Sequence, residues 1–445
     1  MQKKKIIAFI DWYIPGYKAG GGQRAFANMV SYLRETFDFY IITRNTDFLE
    51  TIPYEGIESE KWVECNKGEY VFYCPESKVN QRLYKKLIQE VRPDEAYING
   101  VYSWKFSILP LIVLKNIGFK GKKVLGTYGM LAPTAINIKR RKKQLFIILS
   151  RLYGLYKNVL FHATSEKEIE DIKNALGKKV KVQIAPHLPV KELPDFKKLD
   201  KKHGELKLIS IARISPEKNT LFALEQLKYL QVEGTILYDL YGPIYDKLYW
   251  QECQNVIKEL TDNIKVKYKG VVDGNQVLDL FTNYHALFMP TRGENFGYVI
   301  LESFMASRPV IISDQTPWRG LEEEKSGFDL DLNKSTDYKS ALAGWDLTLV
   351  NSHQSKVNSE KQGKGSKEAG ERKKEKRSSQ QLEGNCQQFS IDSKQLTESR
   401  WSNVLNLLVD MEQQEFDIWC EGARKRAERF INDPALEKGN ISLFD

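Results

Sequence analysis

The chain has 445 residues, too many for one ordinary core and suited to two domains of common size. Its 42% hydrophobic and 11% aromatic residues exclude a fibrous or wholly disordered chain, and its net charge of +9 favours acidic partners such as nucleotide phosphates, nucleic acid or an anionic membrane face. Five cysteines without CxxC spacing and five scattered histidines argue against a disulfide framework or a zinc site, so a reducing cytoplasm is expected and no metal or other cofactor.

The N-terminus is basic and then apolar, but Asp11 interrupts the run and no small-residue cleavage site follows, so a first strand over Ile6–Phe9 is expected instead of a leader. No apolar run reaches the roughly 18 residues that a membrane span needs. Ala19-Gly20-Gly21-Gly22 leads into a helix whose apolar face is Phe26, Met29, Val30 and Leu33. Gly20, Gly21 and Gly22 let backbone amides approach a ligand at a helix start, where an anion or a sugar hydroxyl is favoured.

Further strands are expected at Phe39–Thr43, Glu95–Ile98 and Lys123–Thr127, alternating with amphipathic helices as in a parallel sheet covered on both faces. Lys139-Arg140-Arg141-Lys142-Lys143 precedes an apolar stripe from Leu145 to Tyr153, which reads equally as a buried helix with a solvated start or as a basic rim for anionic lipid. The first set of strands ends near Phe161–Ser165. Pro186, Pro189 and Pro194 then interrupt regular structure, and a second set begins near Leu206.

A strand is expected at Leu206–Ala212, and within Ile209–Asn219 it ends in a loop that carries Arg213 and Lys218. Open α/β sheets bind ligands at the carboxyl ends of their strands, so both cations sit where a diphosphate could lie. Strands at Ile236–Tyr241, Ile264–Tyr268, Ala286–Met289 and Pro309–Ser313 follow. After Met289 comes Pro290-Thr291-Arg292-Gly293-Glu294-Asn295-Phe296-Gly297-Tyr298, then a helix carrying Glu302. A carboxylate accepts from two vicinal hydroxyls, which suits a sugar at Glu294 and a ribose at Glu302. The amides of Asn295, Phe296, Gly297 and Tyr298 add donors at the helix start.

Asn351–Ser393 is crowded with Ser, Gln, Lys, Glu and Gly and lacks a core-forming pattern, so disorder is expected there. Apolar periodicity returns at Trp401 and runs into a basic helical tail. Domains are therefore drawn at 1–165 and 166–333, with an insertion at 334–399 and closing helices at 400–445.

Taken in order, the Gly-rich loop, Phe161-His162-Ala163-Thr164-Ser165 with Glu168, the Arg213/Lys218 strand end, and two Glu separated by seven residues resemble glycosyltransferase family 4. The resemblance implies an α/β GT-B fold, with two Rossmann-like domains facing a cleft and C-terminal helices returning to the first. It implies a retaining, metal-independent transfer from a nucleoside-diphosphate sugar to a glycan or lipid-linked acceptor. It also implies that Arg213 and Lys218 hold the diphosphate, Glu294 the donor sugar and Glu302 the ribose. Two features depart from the family: Thr127-Tyr128-Gly129-Met130 has no basic residue where many members place a His, and the 334–399 insertion is additional. A cytoplasmic enzyme, peripheral on the inner membrane face, is the expectation. The rival is a protein binding nucleic acid or an anionic membrane without transferase activity. No RNA- or DNA-binding signature accompanies the basic cluster, so no nucleic acid is expected as a partner. Asp329-Leu330-Asp331 superficially offers a metal-binding DxD, but its alternation with Phe328 and Leu332 reads as a half-exposed strand.

Overall fold

The computed structural model describes residues 3–137, 140–191, 193–332 and 399–445. Two separate sheets form. The first has eight strands in the order β3-β4-β2-β1-β5-β6-β7-β8. These are β1 Lys4–Phe9, β2 Phe37–Arg44, β3 Trp62–Asn66, β4 Glu69–Cys74, β5 Glu95–Asn99, β6 Lys123–Gly126, β7 Val159–Ala163 and β8 Lys181–Ile184. Only β3 runs antiparallel to its neighbour. Ile6, Ile7, Ala8 and Phe9 are wholly buried because helices cover both faces, which explains the unbroken apolar run. The intervening helices are α1 Gly21–Leu33, α2 Gln81–Val91, α3 Leu109–Asn116, α4 Pro133–Asn137, α5 Arg140–Leu152 and α6 Glu166–Leu176.

The second sheet has six parallel strands in the order β11-β10-β9-β12-β13-β14. Its strands are β9 Glu205–Ile211, β10 Thr235–Tyr241, β11 Ile264–Gly270, β12 Ala286–Met289, β13 Val310–Ser313 and β14 Gly327–Leu330. Helices α7 Thr220–Lys228, α8 Lys247–Lys258, α9 Val277–Phe281 and α10 Tyr298–Met305 connect them. The half-exposed strand expected at Asp329 is β14. Asp329 accepts from the Leu321 amide at 3.0 Å and lies 3.2 Å from the Arg319 guanidinium, so its carboxylate is already engaged.

Each sheet reverses its direction of growth once, between β1 and β5 in the first and between β9 and β12 in the second. The crevice outside the carboxyl ends of such strands is where open α/β sheets take ligands. Gly20–Gly22 follow β1, and Arg213 and Glu294 follow β9 and β12, so the sequence motifs stand at the two switch points.

The domain division needs correction. Helix α6 and strand β8 lie beyond residue 165 but belong to the first sheet, with β8 pairing β7 in parallel. An amphipathic helix and a short, half-exposed edge strand carry no signal of which sheet they join. The passage between the sheets is therefore 185–204. β3 and β4 were also unexpected; β3 is a partly exposed, polar edge, and its hairpin with β4 caps the sheet.

Beyond 399 the chain forms α11 Arg400–Asp410, α12 Gln413–Ile431 and α13 Pro434–Ile441. Trp401 packs edge-on to Phe222, and its indole donates to the Asp331 carbonyl at 3.2 Å, so the chain re-enters beside the point where it left. The segment 334–398, expected to be disordered, lies outside the described residues. Helix α12 covers α10, and then Leu436, Leu443 and Phe444 bury themselves in the first domain's core against Phe37 and Phe39. The chain thus ends on the domain where it began. Among the described residues no helix is long and apolar enough to cross a membrane.

Candidate active site

The second-domain wall is assembled by a backbone clamp between two loops. Asn219 donates its amide to the Pro290 carbonyl at 3.0 Å and accepts from Arg292 Nε at 3.1 Å, while the Arg292 amide donates to the Glu217 carbonyl at 2.9 Å. This clamp brings Lys218 and Glu294, 76 residues apart, into a direct ion pair with both side chains about six-sevenths covered. Arg213 does not join them. Its guanidinium is half exposed, 3.6 Å from Glu217 and 5.3 Å from the Tyr245 ring centre. The two cations expected to act together thus occupy different settings, one paired in the cleft and one on its rim.

Gly297 has φ +81, a left-handed turn that admits glycine readily and lets α10 begin at Tyr298. Glu302 falls in the second turn of α10. It is not an exposed helical acid: only 4% of it is accessible, and it forms an ion pair with Arg24 of α1, across the cleft. Burial pushes its carboxyl up to about 7, against the opposing pull of Arg24. Glu294 and Glu302, expected to address one ligand, here face different partners, one within the second domain and one in the first.

Apart from Arg24, the loops of the first-domain wall that face the second domain are neutral. Gly20 has φ +93 and Gly21 opens α1. Gly22 offers its carbonyl to Asn99 Nδ2 at 3.3 Å, and its bare Cα faces Asn99 and Tyr128. Gly129, at φ +75, presses on Asn295; a β-carbon there would stand 3.2 Å from the Asn295 side chain. The loop is held from behind by Glu168, buried, which accepts from Thr127 Oγ1 at 2.6 Å and from the Thr164 amide and hydroxyl at 2.8 and 2.7 Å. The Phe161–Ser165 segment therefore acts as scaffold for the 127–130 loop.

A hydrogen-bond relay crosses the domains. Asn295 Nδ2 lies 3.3 Å from both Thr164 Oγ1 and His187 Nε2, His187 Nδ1 lies 3.2 Å from the Tyr298 hydroxyl, and that hydroxyl donates to the Leu188 carbonyl at 3.2 Å. One tautomer satisfies the chain, with His187 Nδ1–H donating to Tyr298 and Nε2 accepting from Asn295. Phe296 stacks on the His187 ring at 4.6 Å. Burial and the neighbouring His162 push the His187 imidazole down to about 3, so it is neutral. A second relay runs from Tyr128 to Tyr97 at 2.7 Å and on to His162 Nδ1 at 2.9 Å, with His162 Nε2 donating to the Ala185 carbonyl at 2.8 Å. Burial raises both tyrosines and lowers His162.

Arg24, Tyr97, Asn99 and His187 were absent from the sequence-predicted set. Arg24 carried one signal, a cation four residues after Gly20 at a helix start. His187 carried none, because its role depends on 185–204 passing between the sheets.

Residues 191–343 match the family described as glycosyl transferases group 1. The matched stretch is about a third of the chain and coincides with the second domain. It contains Arg213, Lys218, Glu294 and Glu302. No curated protein matches the sequence. Among solved structures, sucrose-phosphate synthase (tll1590) from Thermosynechococcus elongatus is similar at TM-score 0.64 and 13% identity, covering 99% of this chain and 98% of that one. Anabaena Alr3699/HepE, in complex with UDP and glucose, gives 0.56 and 14% over 99% and 98%. An alpha,alpha-trehalose-phosphate synthase (UDP-forming) from Burkholderia vietnamiensis gives 0.56 and 9% over 99% and 97%. These likenesses are likenesses of fold, and the fold is GT-B: two Rossmann-like domains whose switch points face one cleft. The second domain thus carries the likeness to glycosyl transferases group 1, and the whole chain carries the GT-B fold.

Proposed function

We propose that the chain is a retaining, metal-independent glycosyltransferase of family 4 that moves a sugar from a nucleoside-diphosphate donor to a glycan or lipid-linked acceptor, acting in the cytoplasm at the periphery of the inner membrane face. The observation that carries the reading is the Lys218–Glu294 pair at the switch point of the second sheet, inside the matched residues. Lys218 is the cation already in the cleft, and Arg213 swings in from the rim, so that fixed positive charge meets the diphosphate as it departs. Glu294, released from Lys218 by the incoming phosphates, accepts from the donor sugar's hydroxyls. Glu302 exchanges Arg24 for the ribose, and the amides of Asn295 to Tyr298 lie at a helix start suited to an anion.

The neutral first-domain wall supports same-face transfer, in which the leaving phosphate oxygen itself draws the acceptor proton. A buried imidazole held near 3 makes His187 a poor general base at neutral pH. The acceptor side has a candidate seat at the carboxyl end of the first sheet: a cavity of about 480 Å³ lined by Asp11, Trp12, Arg44, Glu76, Tyr102 and Trp104 among others. Asp11 there accepts from Ser103 at 2.9 Å and Arg44 at 3.0 Å, and Arg44 lies 5.0 Å from the Trp12 ring centre. Rigid aromatic faces among hydrogen-bonding groups suit a sugar ring. The similar Anabaena protein's UDP and glucose make uridine-linked hexoses the first donors to try.

The test is a panel of nucleotide sugars incubated with excess EDTA, with donor cleavage followed by release of nucleoside diphosphate and product configuration read by NMR. Cleavage that survives EDTA and a retained anomeric centre are expected. An inverted product, or activity that returns only with manganese, refutes the reading.

A further inference from the structure

Between Glu95 and Glu166 the chain holds twelve Lys and Arg and not one Asp or Glu. That stretch alone carries more positive charge than the whole chain's net +9, so the rest of the protein is slightly acidic and the excess is local. Helix α5 lies within it. Its inward side is Ile147 and Ser150, both buried. Its outward side is Leu145, Ile148, Leu149 and Leu152, spaced i, i+3, i+4, i+7 and 53 to 80% exposed, with Tyr153 exposed beside them. The fold uses one apolar side of this helix and leaves the other in water.

Cations flank this ridge at both ends. Arg140, Arg141 and Lys142 of the first turn are all exposed. At the far end Arg151 donates to the Ala175 carbonyl at 2.6 Å, docking α5 on the end of α6, and there a cavity of about 440 Å³ is lined by Lys157, Lys178, Lys179 and Lys181 and by no acid. The acids of α6, Glu166, Glu168, Glu170 and Asp171, belong to its opposite, N-terminal half.

We infer that this face of α5 docks on an anionic lipid bilayer, with the aliphatic ridge entering the headgroup region and the two cationic ends meeting lipid phosphates. The charge pattern selects this occupant. Single-stranded nucleic acid gains from aromatic stacking and phosphate contacts and has no use for four exposed aliphatic side chains. A second copy laid on the same face would oppose like charges at both ends. A membrane surface alone takes both features, since apolar burial and attraction to anionic headgroups add.

The face also adjoins the cleft. Phe146 packs against Tyr102, whose hydroxyl donates to the Met130 carbonyl at 3.2 Å, and the neighbouring Gly129 abuts Asn295. A bilayer resting on α5 thus lies beside the first-domain wall, within reach of an acceptor carried in the lipid; this consequence rests on the transferase reading, whereas the docking does not.

The experiment is co-sedimentation of the full chain with vesicles of phosphatidylglycerol and phosphatidylcholine, against phosphatidylcholine alone, at low and high salt. Binding to the anionic vesicles only, weakened by salt, is expected. Leu149→Glu/Leu152→Glu should lower partitioning by about tenfold or more, and Arg140→Glu/Arg141→Glu/Lys142→Glu comparably at low salt. Both variants should keep the wild-type melting temperature and donor cleavage without acceptor, since these side chains are exposed and none belongs to the nucleotide motifs. The inference is overturned if the wild type ignores anionic vesicles, or if the Leu149/Leu152 variant still binds them fully. It is equally overturned if an oligonucleotide competes the protein off the vesicles while that variant binds the oligonucleotide unchanged, or if the wild type dimerises through this face. Vesicle binding without donor cleavage would instead sink the transferase reading and leave the docking face standing.

Discussion

The two walls of the cleft are built on different electrical principles. The second-domain wall presents ionised groups: Lys218 with Glu294 in the cleft and Arg213 on the rim. The first-domain wall presents Tyr97, Tyr128 and His162, with His187 from the linking passage, all held neutral by burial. Two charged features interrupt it: Arg24, paired with Glu302 of the opposite wall, and the Asp11–Arg44 pair in the cavity at the carboxyl end of the first sheet. Fixed charge is useful where a diphosphate arrives and departs. On the proposed reading, neutral hydrogen-bonding groups beside the transfer point would orient an acceptor without taking its proton.

The largest effect should come from removing the cation in the cleft. Lys218→Ala is expected to lower turnover by about 2 to 4 kcal/mol, as for loss of a preorganised donor to a developing charge, and to weaken nucleoside diphosphate binding. Glu294→Ala should leave nucleoside diphosphate affinity nearly unchanged while relaxing discrimination between sugars that differ in one hydroxyl. Equal weakening of free nucleoside diphosphate by both variants, measured by calorimetry, would remove the division of labour between them.

Glu302 tests the buried interdomain pair. Its folded value of about 7 stands above the ordinary 4.5, so the folded protein binds a proton more readily than the unfolded chain between those values. Stability attributable to this group therefore falls as pH rises from about 4.5 through about 7, and the full cost, on the order of 3 kcal/mol, is present above neutrality. Glu302→Gln, which mimics the protonated acid, should melt higher than the wild type at pH 8 and lose that advantage toward pH 5. A difference that stays constant across the range would mean that Arg24 fully compensates the buried charge.

The contrast between the walls also marks what the sequence could reveal. The placement of Lys218, Glu294 and Glu302 at the mouth of the second sheet was legible because each sits at a fixed offset from a strand end or a helix start. Nine expected strands were legible for the same local reason, as apolar runs bounded by breakers. The ion pair of Lys218 with Glu294 was not, since it depends on the Asn219–Pro290 clamp between distant loops. Nor was the capture of Glu302 by Arg24, which exists only when the domains face each other. Helix α6 and strand β8 were assigned across the boundary because sheet membership is a tertiary property.

The smallest expected effect belongs to the neutral wall, and its sign is opposite to that of Glu302. His187 has a folded value of about 3 against an ordinary 6.5, so the unfolded chain takes up the proton first. The stability that its neutral form contributes is complete above about 6.5 and drains away as pH falls toward about 3. His187→Gln exchanges the imidazole for a group that never charges, but it loses the stack on Phe296 and disturbs the relay from Asn295 to Tyr298. At pH 8 the variant should therefore be less stable by about 1 kcal/mol, the scale of one imperfect hydrogen bond. Below about pH 6 the wild type begins to carry the cost of a histidine that cannot protonate, and the gap should close and then invert. Melting temperatures of the two proteins at a series of pH values read this directly. The Glu302→Gln advantage grows with pH and the His187→Gln penalty shrinks as pH falls, so the two buried groups give opposite pH trends. If His187→Gln instead tracked the wild type at every pH, His187 would be accessible to solvent in the working protein, and the first-domain wall would hold a titrating base after all.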